Sequence, residues 1–219
     1  MKTLIILLTI FISGCGITNQ IGEDVISNNW FWVDQTYIPD NYEYTTPNTI
    51  VILGNSIAYH HEKASIDWYQ NNGMSASSPD KDYSHILAEL IGADLIVENH
   101  WDIESGYITY DFSTLPDGDM IIIQLGDNLG EGRDNNYCLH LDRMVKRYKG
   151  KQIILTSTII YSKRLLTTDA QIQKVARDNN IPYIDVRNVM INKSNNGIYF
   201  HPNDKGMRLI AERIYKEIK

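Results

Sequence analysis

A serine, a histidine and several small polar residues occupy positions from which they could carry out acyl transfer. Ser56 follows Gly54-Asn55 directly after the aliphatic run at 49–53, TIVIL. Gly126-Asp127-Asn128 closes another apolar run, at 119–125, and Gly106 sits inside the polar segment 98–118. His201 lies in Phe200-His201-Pro202-Asn203-Asp204, just ahead of the last amphipathic stretch. A serine hydroxyl is a weak nucleophile unless a neighbouring base takes its proton, and histidine is the commonest such base. Backbone and amide N–H groups beside that pair could hold the oxyanion that forms on attack. Taken alone, a serine here is more commonly a helix cap or turn residue. The elements that position it decide between the two.

The run at 49–53 shows no polar alternation after its first residue, which is how a strand buried on both faces reads. Runs at 93–97 (ADLIV), 119–125 (DMIIIQL), 152–156 (QIILT) and 182–186 predict further strands. Helices are predicted from Ser78-Pro79 to about Leu90, from Arg133 or Asp134 to Tyr148, over 168–179 and over 203–218. The first of these reads with Ser78 as its cap and Pro79 at its first position. Strands alternating with helices give a three-layer α/β/α sandwich around a central parallel sheet of about five strands. In such a sheet the carboxyl ends of the strands share one edge, so Ser56, Gly106 and Asn128 can meet there. Residues 58–81 form a long polar loop beyond the first strand, a length more often functional than decorative. Neither G-x-G-x-x-G nor G-x-x-x-x-G-K-[ST] occurs, so no nucleotide loop is expected.

The chain has 219 residues, 43% hydrophobic and 21% charged, with a formal charge of −7. That suits one globular domain, and without a Lys/Arg run nucleic acid is not an expected partner. Residues 1–14 read as a signal peptide, with Lys2 before an apolar stretch too short to span a bilayer. Ile12-Ser13-Gly14-Cys15 resembles a bacterial lipobox, in which Cys15 would carry the lipid. The expected organisation is a lipoprotein signal at 1–14, a lipidated Cys15 with tether and aromatic arm over 15–48, and a catalytic domain at 49–219. The expected location is the bacterial cell envelope, anchored to a membrane through Cys15. The arm holds Trp30, Phe31, Trp32, Tyr37, Tyr42 and Tyr44, too many aromatics for a free linker, and should pack on the domain. The other cysteine, Cys138, falls mid-helix and reads as a small buried hydrophobe.

In this order the motifs resemble the SGNH (GDSL-like) hydrolase superfamily. Gly54-Asn55-Ser56 matches its first block, Gly106 its second, Gly126-Asp127-Asn128 its third and His201-Pro202 its last. The longer wording GNSIxxH, GMxASxPxKDY and HPNDKGM also looks like a bacterial envelope subgroup. The resemblance implies a flavodoxin-like sheet and a serine ester hydrolase that needs no metal or organic cofactor. It implies Ser56 as nucleophile and His201 as base and then acid. The backbone N–H groups of Ser56 and Gly106, with the Asn128 amide, would form the oxyanion hole. One position departs. The superfamily usually carries an Asp three residues before the histidine, and here that residue is Ile198. Either a backbone carbonyl orients His201, or an acid elsewhere does, or turnover is weak or lost. Asp204, three residues after His201, is the acid considered, with the first turn of the last helix as its alternative role. Leu129 stands where an Asp often follows the block-three Asn.

Asn55, His60, Trp68, Trp101 and Tyr107 are the candidate substrate-lining residues. The aromatic faces could stack on a sugar, or simply pack their own loops. His61 reads as solvated, and the His60-His61 pair lacks a carboxylate at metal-ligand spacing, so no metal is expected. The expected function is a serine esterase removing a short acyl group, acetyl above all, from a carbohydrate or other small ester. The alternatives are an O-acyltransferase acting on an envelope polysaccharide and a carbohydrate-binding lipoprotein of little turnover.

Overall fold

The computed structural model describes residues 34–104, 110–129, 134–160 and 165–219. The expected signal segment, Cys15, Trp30, Phe31, Trp32, Gly106 and Tyr107 lie outside the described residues.

Thr49–Gly54 forms β1 and Tyr83–Ile91 forms α1; Asp94–Asn99 (β2) leads into a single helical turn, Trp101–Glu104 (α2). Met120–Gln124 is β3, Asp134–Arg147 α3, Gln152–Thr156 β4, Leu166–Asp178 α4, Tyr183–Ile184 β5 and Asp204–Ile218 α5. The strands make one five-stranded sheet in the order β2-β1-β3-β4-β5, parallel throughout. The chain leaves β1 toward one edge and returns through β3 toward the other. The crevice beyond their carboxyl ends is therefore the topological switch point, where open α/β sheets bind ligands.

Alternation along each strand builds two cores. Ile50, Ile52, Met120, Ile122 and Ile154 face a cluster closed by Ile86 and Leu87 of α1 and Met207, Ile210 and Ile214 of α5. Val51, Leu53, Ile121, Ile123, Ile153 and Leu155 face the opposite cluster, closed by Tyr137, Cys138, Leu141, Met144 and Val145 of α3 and Ile172 and Val175 of α4. Successive side chains of a strand point to opposite faces, so an unbroken aliphatic run needs a helical layer on each side. Each such buried side chain contributes roughly 1.5–3 kcal/mol relative to exposure.

Three sequence expectations need adjustment. The cap of α1 is Asp82, which accepts from His85 N at 2.8 Å and from Gly73 N at 3.0 Å. Ser78 precedes only the 3₁₀ turn Pro79–Lys81, and its hydroxyl turns to Asp80 at 2.5 Å. The strand read over 93–97 is the half-buried edge strand β2 rather than a fully buried one. Residues 58–81 are not an open loop: bridges pair His60 with Asn72 and Lys63 with Trp68. Of the arm, Tyr37 exchanges two 2.8 Å main-chain bonds with Tyr183, covering β5, and its ring lies 4.4 Å from the Arg177 guanidinium.

Candidate active site

Ser56 begins the turn after β1, and its oxygen lies 2.8 Å from His201 Nε2. The two residues are 145 apart in sequence, so the fold alone brings them together. The other ring nitrogen, Nδ1, lies 3.0 Å from the Tyr199 carbonyl oxygen. A carbonyl can only accept, so in the neutral ring Nδ1 carries the proton and Nε2 presents its lone pair to the Ser56 hydroxyl. Among the described residues the Ser56 N–H donates to no other group.

The carbonyl is presented by a tightly closed turn. Gly197 N donates to the His201 carbonyl at 2.7 Å, and His201 N donates to the Ile198 carbonyl at 2.9 Å. Tyr199 and Phe200 take left-handed backbone angles, φ 51° and 62°, with their rings exposed. For residues bearing a Cβ such angles cost of order 1–2 kcal/mol each, and they persist only where the surroundings impose them. Here Ser75 Oγ accepts from Ile198 N at 2.9 Å, and a Cβ on Gly197 would stand 1.8 Å from that oxygen.

His201 is 8% exposed, and burial holds its pKa below the usual 6.5, with the nearby His60 acting in the same direction. The ring therefore stays neutral, as a general base must, to lower pH than a free imidazole.

Beneath the pair lie two buried carboxylates. Glu104, at the end of α2, accepts from Asn128 Nδ2 at 2.5 Å, from Asn55 Nδ2 at 3.2 Å and from Gly126 N. Asp127 accepts from Ile159 N and Ile160 N at 2.7 Å each, from Gln124 Nε2 at 2.6 Å and from Asn55 Nδ2 at 3.1 Å. Burial, then repulsion from Asp127, pushes Glu104 up to about 7; burial likewise raises Asp127. Gly126 adopts φ 124°, a conformation open to glycine, which aims its N–H at Glu104.

Several sequence candidates are placed elsewhere than expected. Asp204 does not reach the imidazole: it accepts from Ser77 N at 2.7 Å and from Ser77 Oγ at 2.6 Å, while Ser56 and the Tyr199 carbonyl take the two His201 nitrogens. Asn55 is fully buried and ties Glu104 to Asp127, so it supports the site from below rather than lining it. Trp68 is 5% exposed and donates to the His60 carbonyl at 3.3 Å, so its ring is packing and not an open face. Trp101 stays open at 56% exposure, and His60 is half-buried with Nδ1 2.5 Å from the His61 carbonyl oxygen. Glu104 was not foreseen, and of the alternatives for orienting His201 the structure shows the backbone carbonyl, supplied by Tyr199. The only sequence signal for Glu104 is an acid two residues before Gly106, and a main-chain carbonyl carries none.

No family model and no curated protein matches the sequence. Solved structures do. A Slackia heliotrinireducens protein described as an SGNH hydrolase superposes with a TM-score of 0.56 at 15% identity, covering 78% of this chain and 98% of that one. The chain has the SGNH hydrolase fold. Among other neighbours with this fold, a two-domain esterase active on acetylated mannans, co-crystallised with mannopentaose, gives 0.56 at 18% identity over 77% of this chain. A family two carbohydrate esterase from Clostridium thermocellum, in complex with cellohexaose, gives 0.53 at 18% identity over 84% of this chain. The chain spans 48% and 65%, respectively, of those two proteins. In this SGNH fold the Ser56–His201 pair lies at the switch point between β1 and β3, with the Tyr199 carbonyl facing His201 Nδ1.

Proposed function

We propose that the chain is a serine esterase that removes short acyl groups, acetyl first among them, from carbohydrate. The observation that carries this reading is the 2.8 Å contact between Ser56 Oγ and His201 Nε2, with Nδ1 held by a carbonyl. In the first step Ser56 Oγ bonds to the ester carbon while its proton passes to His201 Nε2. The tetrahedral oxyanion is met by the Ser56 N–H, the Asn128 amide and, by the family resemblance, the Gly106 N–H. Collapse expels the sugar alkoxide, which takes the proton from His201. Water then repeats the sequence on the acyl-serine and releases the carboxylic acid. Each oxyanion donor is worth about 10²–10³ in turnover.

The carbohydrate part rests on the acetylmannan esterase and the family two esterase among the fold neighbours, and on the open Trp101 face near the strand ends. Export and lipid anchoring through Cys15 belong to the same proposal, supported by the apolar N-terminal segment and the small residues before Cys15. Metabolic labelling with a fatty acid, compared between wild type and Cys15→Ser, tests the anchor; equal labelling removes it.

A panel of 4-nitrophenyl acetate and acetylated oligosaccharides, run on wild type and Ser56→Ala, tests the activity. Wild type should release acetate at least ~10³-fold faster than the alanine variant. Equal rates on every substrate would refute the esterase reading. Appearance of acylated product with an added glycan acceptor, in place of free acetate, would make the enzyme a transferase.

A further inference from the structure

We propose that Glu104 is a positioning residue of the oxyanion hole, acting through Asn128. The proposal rests on the esterase reading above. Asn128 is exposed, and an exposed amide on a loop can present either its oxygen or its nitrogen to the site. Glu104 is fully buried beneath it, and its Oε2 accepts from Asn128 Nδ2 at 2.5 Å. In its ionised form it only accepts, so it draws the NH₂ side of the amide and repels the oxygen; burial raises its pKa to about 7, so this hold is complete only above that pH. One N–H is anchored, and the second stays available to an oxyanion.

The same carboxylate ties the neighbouring loops to this point. Its Oε1 accepts from Gly126 N, on the β3 loop that carries Asn128, and from Asn55 Nδ2 at 3.2 Å, on the residue before Ser56. Three strand exits are thus referenced to one group, and donors fixed before reaction need no reorganisation when charge develops. Asp127, equally buried, is used differently: it holds the Ile159 and Ile160 N–H groups after β4 and makes no bond to Asn128. The two buried acids share Asn55 Nδ2, at 3.1 Å to Asp127 and 3.2 Å to Glu104, but Glu104 alone of the two holds Asn128.

The test is a double-mutant cycle on the full chain with 4-nitrophenyl acetate, with rates normalised to sites titrated by a serine-directed fluorophosphonate. Glu104→Gln puts an NH₂ among groups that are all donors, and should lower kcat by ~10-fold or more with KM within about twofold. Asn128→Ala should lower kcat by ~10²–10³. The double variant should match Asn128→Ala within about twofold, because the glutamate has nothing left to position. Glu104→Asp, which keeps the charge but falls one methylene short, should give the same pattern and serves if the glutamine variant folds poorly. A double variant whose loss is the product of the single losses overturns the proposal, as does wild-type kcat per titrated site in Glu104→Gln. Loss of titratable sites in both Glu104 variants while Asn128→Ala retains them would also overturn it. An inactive wild type ends the esterase reading and this inference together; an active wild type with multiplicative losses ends the inference alone.

Discussion

The Tyr199 carbonyl oxygen lies 3.0 Å from His201 Nδ1, on the opposite side of the ring from Ser56. It sets the tautomer as a carboxylate would, but as a neutral dipole it stabilises the imidazolium less. The orienting group is main chain, so its position depends on the left-handed angle of Tyr199 and not on that residue's side chain.

Substitutions at this residue should therefore separate backbone from side chain. Tyr199→Phe should leave kcat/KM on a small ester within about twofold, because the carbonyl is untouched. Tyr199→Pro fixes φ near −65°, cannot adopt 51°, and swings the carbonyl away; kcat should fall by ~10²-fold. Steady-state kinetics on titrated enzyme checks both. Equal activity in the proline variant would show that the carbonyl does not orient the ring.

Burial sets the direction of the His201 titration. Its pKa lies below 6.5, so the neutral base form persists below that pH, and activity that depends on it is lost only as pH falls through the lowered value. NMR titration of the imidazoles in wild type, with His201 assigned by its absence in His201→Ala, should give a midpoint below 6.5. A midpoint at or above 6.5 would show that the Tyr199 carbonyl and the Asp127 charge, both of which favour the imidazolium, outweigh desolvation, and would overturn the argument.

Asp204 offers a contrast between an acid near the histidine and an acid that serves it. Its oxygens accept the N–H and hydroxyl of Ser77 at the first turn of α5, tying the 58–81 segment to the last helix. Asp204→Ala should lower stability by ~1–2 kcal/mol in urea denaturation while kcat/KM per titrated site stays within about twofold. A large loss of turnover at unchanged stability would return Asp204 to the catalytic machinery.

The same distinction explains what could be read from the sequence. The aliphatic runs at 49–53 and 119–125 need burial on both faces, and only a covered parallel sheet supplies it, so the order of layers was legible before any coordinate. Ser56 and His201 were legible through the order of four short motifs after their strands, since a serine at a strand end alone reads as a cap or turn residue. The cap of α1 was misread because Ser78 and Asp82 both suit a helix start, and the choice fell to a tertiary bond from Gly73. That a backbone carbonyl could orient His201 followed from the Ile198 departure, but not which residue supplies it, since every residue has one. Glu104 escaped because its role exists only where the loops after β1, β2 and β3 meet.

The two tryptophans of the segments over the sheet edge should part company on substitution. Trp68 is 5% exposed within the folded 58–81 segment, so Trp68→Ala leaves a cavity and should cost ~3–5 kcal/mol of stability. Trp101 is 56% exposed at the start of α2, three residues before Glu104, and Trp101→Ala should change stability by less than ~0.5 kcal/mol. If its face takes a sugar ring, the loss is one stacked contact, roughly 0.5–1.5 kcal/mol, or about a 2- to 12-fold rise in KM. That rise should appear with acetylated oligosaccharide and be absent with 4-nitrophenyl acetate, which has no sugar to stack. An equal change on both substrates would mean that the substitution disturbs Glu104 and the donors behind it rather than a sugar contact. An unchanged KM on both would leave Trp101 outside the substrate path.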